Sequence, residues 1–217
     1  MKRILFSVCF FTLFFSCNSD DDTTNNSVTT PEAGFYALTV GNSWEYRYYD
    51  YNSSSNSFEA STITESVSIV STEEIEGETY FKFRYFTTGN DVNSPNYPTN
   101  GESFRYFRED SGNLINDRND IIFLRENHEE RLIDSFNTSL LQYLRLAENS
   151  YNVTTAAGTF DALDMELYAR DQDGNQYPGI SHYYYADGIG LVLNTSTFLS
   201  TAQHFLERRL ESYTLVN

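Results

Sequence analysis

Residues 61–87 read STITESVSIVSTEEIEGETYFKFRYFT, and this stretch decides the fold. Ile63, Val67 and Ile69 share one parity, against Thr62, Thr64, Ser66 and Ser68 on the other. After Glu76-Gly77 the alternation resumes, with Phe81, Phe83 and Tyr85 opposed by Lys82 and Arg84. A period of two puts successive side chains on opposite faces of a strand. A Gly between two such runs supplies the positive φ of a tight hairpin turn. The stretch therefore predicts an antiparallel hairpin with one apolar face.

The same grammar extends in both directions. Trp44, Tyr46 and Tyr48 alternate with Glu45 and Arg47, and SFRYFRE at 103–109 repeats the pattern. Asp110-Ser111-Gly112-Asn113 and Asp173-Gly174-Asn175 supply further turns. More strands are expected near 114–118, 121–125, 151–155, 159–170, 180–186, 190–198 and 205–216. Two segments read both ways. SLLQYLRLAEN, 139–149, places Leu140, Leu141, Leu144 and Ala147 at helical spacing and is predicted to be a short helix. AQHFLERRL, 202–210, is predicted to be strand because Leu206, Leu210 and Val216 share a parity. With no βαβ rhythm and no fixed repeat, residues 34–217 form a single all-β domain. It is expected to be an antiparallel open half-barrel or sandwich of ten or eleven strands with at most a short helix.

The N-terminus carries an address. Lys2 and Arg3 precede ILFSVCFFTLFF, residues 4–15, which reads as a signal peptide over residues 1–16 and is shorter than the ~20 apolar residues a membrane anchor needs. Ser16-Cys17 follows and resembles a bacterial lipobox, with Cys17 the residue to be lipidated, although Phe14 and Phe15 replace its usual Leu and small residue. Ser19, Asp20, Asp21 and Asp22 resemble the acidic export signal of Bacteroidota surface lipoproteins. Residues 17–33 thus form a lipidated Cys and a flexible acidic tether, whose fifteen residues from 18 to 32 reach ~50 Å when extended. The expected location is the outer membrane, facing the cell exterior, with the membrane as partner through the N-terminal lipid.

Composition narrows the partners further. The chain of 217 residues carries a formal charge of −17, and without residues 1–16 it has 12 basic against 31 acidic residues. Such a balance excludes nucleic acid, since few cations are available to displace counterions from phosphates. Aromatic residues make up 16%, too many for a disordered chain. Beyond residue 16 the sole thiol is Cys17 and the sole Lys is Lys82, so the remaining cations are Arg, suited to lie over aromatic rings and to fork onto carboxylates.

Two segments carry a resemblance. Phe35 to Tyr48 (FYALTVGNSWEYRY) and Tyr183 to Leu193 (YYYADGIGLVL) are similar to the GxxWxY start and the YYAxGIGLV strand of a family of uncharacterised Bacteroidota surface lipoproteins. AGTFDA at 157–162 looks like a strand start of the same group. The resemblance implies an antiparallel half-barrel of the LolA/LolB type. It carries no catalytic residues.

No catalytic constellation stands out. His128, His182 and His204 are far apart in sequence, and His128-Glu129-Glu130 lacks the second His of a zinc helix. Gly41-Asn42-Ser43 does not continue as a nucleophile elbow, and no phosphate-binding glycine loop is present. Asp171–Asn175 reads as a turn because a calcium loop would need Glu at residue 182. Glu45, Asp164 and Glu166 are carboxylates on solvated strand faces, and an accessory hydrolase built on scattered carboxylates is the alternative to a non-enzymatic module. The sequence predicts no cofactor, no metal site and no catalytic residue. The tyrosine surplus points to a ligand-binding or envelope-scaffold module, with Trp44, Tyr46 and Tyr184 as candidate lining residues for an apolar or glycan ligand. The 139–149 segment and the Thr88–Gly101 loop are the expected lids.

Overall fold

The computed structural model describes residues 34–125, 127–136 and 140–216, and every regular element among them is a β-strand. The strands are β1 (Ser43–Asn52), β2 (Ser57–Ile75), β3 (Glu78–Thr88), β4 (Gly101–Asp110), β5 (Asn113–Asn116), β6 (Ile121–Phe123), β7 (Arg131–Phe136), β8 (Leu140–Leu146), β9 (Tyr151–Thr155), β10 (Gly158–Arg170), β11 (Gln176–Ala186), β12 (Gly190–Thr197) and β13 (His204–Thr214). The signal segment, Cys17 and Ser19 to Asp22 lie outside the described residues.

All thirteen strands join one antiparallel sheet in the order β6-β5-β4-β3-β2-β1-β13-β12-β11-β10-β8-β7, with β9 on the same edge of β10 as β8. The hairpin read from residues 61–87 is β2–β3, and its turn has positive φ at both Glu76 (55°) and Gly77 (87°), as a two-residue primed turn requires. The first and last strands pair at the middle of the sheet, and the two edges, β6 and β7, are joined by residues 124–130. Laid flat, twelve strands would separate those edges by ~50 Å. Seven connecting residues reach under ~30 Å. The sheet is therefore curled, open and unclosed, with Leu124 and His128 against β10 and β8. Leu124 N donates to Met165 Sδ at 3.1 Å, and His128 Nδ1 contacts Leu146 O at 3.1 Å.

Burial follows the alternation. Trp44, Tyr46 and Tyr48 on β1, Ile63, Val67 and Ile69 on β2, Phe83 on β3 and Phe107 on β4 are all buried, while the intervening residues are more open. The end of the concave face is plugged by the segment before β1. Phe35, Tyr36 and Ala37 are buried against Phe123 and Tyr185, and Tyr36 donates to Gly112 O at 2.7 Å. Asn42, fully buried, donates to Ala37 O and accepts from Val216 N, tying this plug to the end of β13.

Three expectations need correction. The described residues form thirteen strands, not ten or eleven. The segment predicted as a short helix is strand where it is described: Leu140–Leu146 is β8, and Leu144 and Leu146 enter the core. Its helical spacing arose because β8 lies inside the sheet, half-buried or buried along its length, so alternation is blurred. It therefore belongs to the sheet and is no lid. Strand β7 was not expected, and its pairing with β8 carries a register shift between Leu132 and Asp134.

Candidate functional site

A cavity of about 640 Å³ lies on the concave face. Its wall is aromatic, drawn from Tyr36, Trp44, Tyr46, Tyr48, Phe83, Tyr85, Phe107, Tyr183 and Tyr185 among others. Trp44 and Tyr46, two of the candidate lining residues, border it. Tyr184 does not: as the middle of three consecutive tyrosines it points to the opposite, convex face, packing against Tyr151 and His182, while Tyr183 and Tyr185 face the cavity. Of the expected lids, the Thr88–Gly101 loop contributes Pro98 to the lining, and its Tyr97 packs edge-on against Tyr48.

The cavity floor holds a buried ion pair. Arg208 on β13 reaches over β1 to Glu65 on β2, with 2.6 Å between guanidinium and carboxylate and the side chains 10% and 4% exposed. The guanidinium carbon sits 3.6 Å from the centroid of the Tyr46 ring beneath it. Glu65 also accepts from Thr87 Oγ1 at 3.3 Å. Burial opposes the charge on Arg208, but Glu65 and the surrounding phenols of Tyr48, Tyr46 and Tyr85 outweigh it, so its pKa lies above the ordinary value. Burial pushes the Tyr46 phenol up as well, and it stays a neutral donor. Nε of Arg208 has no hydrogen-bond partner among the described residues.

Two further bonds fix the wall. Trp44 Nε1 donates to Ile189 O and Tyr46 OH to Leu191 O, each at 2.7 Å. Strand β12 pairs with β13 only from Leu193 onward, so these carbonyls face a gap in the ladder that side chains of β1 fill. Gly188 N donates to Phe35 O in the same place. The two motif segments, Phe35–Tyr48 and Tyr183–Leu193, thus bind one another. Gly188 and Gly190 have positive φ (69° and 91°) in the β11–β12 hairpin turn; the bulge of this pair lies earlier, between Tyr184 and Tyr185.

No family model matches the sequence, and no curated protein does. Two solved structures are similar. One, described provisionally as a lipoprotein of Parabacteroides distasonis ATCC 8503, aligns with a TM-score of 0.45 at 16% identity, covering 84% of this chain and 99% of that one. The other, described provisionally as an exported protein with a YmcC-like fold from Bacteroides fragilis NCTC 9343, aligns with a TM-score of 0.52 at 12% identity, over the same shares. The fold is similar to the YmcC-like one. At such identity the YmcC-like likeness concerns the path of the chain and carries no chemistry.

The convex face of the sheet holds a second cluster. Asp164 and Glu166 on β10 and His182 on β11 bring one ligand atom each within 4.8 Å of one another. Glu166 and His182 are register partners, and Asp164 is opposite Tyr184. The expectation of solvated carboxylates fails for Asp164, which is 1% exposed and accepts from His182 Nδ1 at 2.8 Å. Glu166 is held by Arg145 through Oε2. Glu45 stays apart, exposed and bonded to Ser66 Oγ at 2.6 Å.

Glu65 and Arg208 escaped the sequence reading, yet a signal was present. Each interrupts an apolar stripe, Ile63–Glu65–Val67–Ile69 and Leu206–Arg208–Leu210. A charge at an apolar parity marks a buried pair in search of a partner.

Proposed function

We propose that this protein is a lipid-anchored envelope protein whose concave cleft binds an amphipathic ligand bearing an anionic group. The carrying observation is the aromatic cavity whose lining holds more arginines than acids. Its volume falls in the range of small-molecule sites, ~300–1,000 Å³. Three arginines, Arg105, Arg118 and Arg208, line it against two acids, Glu65 and Asp117, in a chain whose formal charge is −17. A positive lining inside a negative molecule favours an anionic head group, and the aromatic wall favours an apolar or flat body. The cleft suits binding rather than hydrolysis, because both oxygens of Glu65 are engaged, by Arg208 and Thr87. The signal segment, Cys17 and the acidic run at Asp20–Asp22 support the anchor and an outward orientation.

Trp44 is the only tryptophan and borders the cavity, so its emission reports on occupancy directly. Oleate should give a saturable change in Trp44 fluorescence, and Arg105→Ala, at an exposed position over Tyr85, should weaken it about tenfold. Equal response to oleyl alcohol would remove the anionic requirement. No response to either, with saturation by a neutral oligosaccharide, would overturn the ligand class. Cys17→Ala should abolish partitioning into detergent; unchanged membrane association in that variant would overturn the anchor.

A further inference from the structure

We propose that Asp164, Glu166 and His182 form a binding site for one divalent transition-metal ion, with zinc the best fit. The site lies on the face opposite the cleft and is independent of the ligand reading above.

The first support is geometry. One nitrogen and two carboxylate oxygens from adjacent strands converge within 4.8 Å. Two ligands of a tetrahedral zinc, each at ~2.0 Å, stand ~3.3 Å apart. His182 Nδ1 and Asp164 Oδ2, now 2.8 Å apart across a proton, need to open by only about half an ångström. On binding through Nδ1, the ring proton moves to Nε2, so a neutral imidazole gains the metal without net proton loss. The nitrogen ligand disfavours magnesium and calcium, which take oxygen.

The second support is a deficit. Asp164 is 1% exposed, and its Oδ1 has no hydrogen-bond partner among the described residues. A buried carboxylate oxygen without a donor is costly, and native structures rarely leave one. A cation on this carboxylate supplies the missing partner. The surroundings fit a metal site as well. Arg145 occupies Oε2 of Glu166, leaving Oε1 for the ion, in the way ligating carboxylates are held from behind. Tyr184 stacks on the His182 ring at 5.7 Å, and Thr195 Oγ1 accepts from His182 N at 2.9 Å, so ring and backbone are both positioned. His182 keeps a quarter of its side chain exposed, which gives the ion a path in and an open fourth position for water.

The test is calorimetric titration of the purified, untagged protein with zinc chloride, alongside the visible absorption of bound cobalt(II). One equivalent should bind. His182→Ala and Asp164→Asn should each weaken binding at least about 100-fold and abolish the cobalt band. His128→Ala, in the connection between β6 and β7, should leave both unchanged. Unaltered Trp44 emission verifies that each variant is folded. Glu166→Gln, at a partly exposed position, tests the site without threatening the fold and should weaken binding about tenfold or more. Absence of stoichiometric binding, or binding that survives His182→Ala in the folded variant, would overturn the proposal.

Discussion

Glu65 and Asp164 are both carboxylates buried in the interior of the sheet, one on each face, and their surroundings differ in kind. Glu65 has a guanidinium at 2.6 Å and a threonine hydroxyl, and lies beside a tyrosine ring that itself carries the cation. Asp164 has one imidazole contact and one oxygen without a donor. A charge met by an equal and opposite one across three strands acts as a brace. A charge met on one side only is a vacancy for a partner. The contrast separates a structural acid from a binding acid on local grounds, without appeal to any relative.

The largest effect should come from breaking the brace. Arg208→Met leaves Glu65 buried and unpaired and should cost about 3–5 kcal/mol in denaturant unfolding, with the Glu65→Gln/Arg208→Met double variant recovering part of the loss. If the double variant is as unstable as the single, the pair is not the source of the effect. Asp164→Asn should cost under about 1 kcal/mol in metal-free buffer, because the amide keeps an oxygen for His182. A loss equal to that of Arg208→Met would erase the distinction drawn between the two acids.

The smallest effect concerns a third acid, Glu207, on the convex face. Burial works to raise its pKa, but His204, bonded at 2.7 Å, and Arg209 outweigh it, leaving the value below the ordinary one. A carboxylate whose folded-state pKa is lowered contributes stability above its unfolded value, and this is lost as pH falls through the folded value. Glu207→Gln should therefore make acid unfolding less steep below the usual carboxylate range, with little change at neutral pH. Identical acid transitions in both proteins would remove this contribution.

Much of the fold was legible because each hairpin states its own pattern. β2 and β3 announced themselves by alternation and by Glu76-Gly77. β8 did not, since both of its faces are at least half-covered and Leu140, Leu141 and Leu144 could serve a helix equally well. The cleft was partly legible: Trp44 and Tyr46 follow from parity, and the charges at Glu65 and Arg208 were visible as breaks in a stripe. Tyr184 was misplaced because its face depends on register, which three consecutive tyrosines leave open. The convex cluster was illegible. Asp164 and Glu166 alternate with apolar residues as a wet face would, and only the β10–β11 register brings His182 beside them.

The pairing of β1 with β13 also governs how the molecule comes into being. A chain made from its N-terminus presents β1 and β2 early, while residues 204–214 arrive last. Until then β1 is an unsatisfied edge carrying Trp44, Tyr46 and Tyr48, a ready template for the wrong strand. The bonds from Trp44 and Tyr46 to Ile189 and Leu191 close loops of 145 residues, among the slowest contacts a chain of this size can make. Folding is therefore completed only once residues 204–214 are available, and a chain that stops before residue 204 leaves β1 without its central partner.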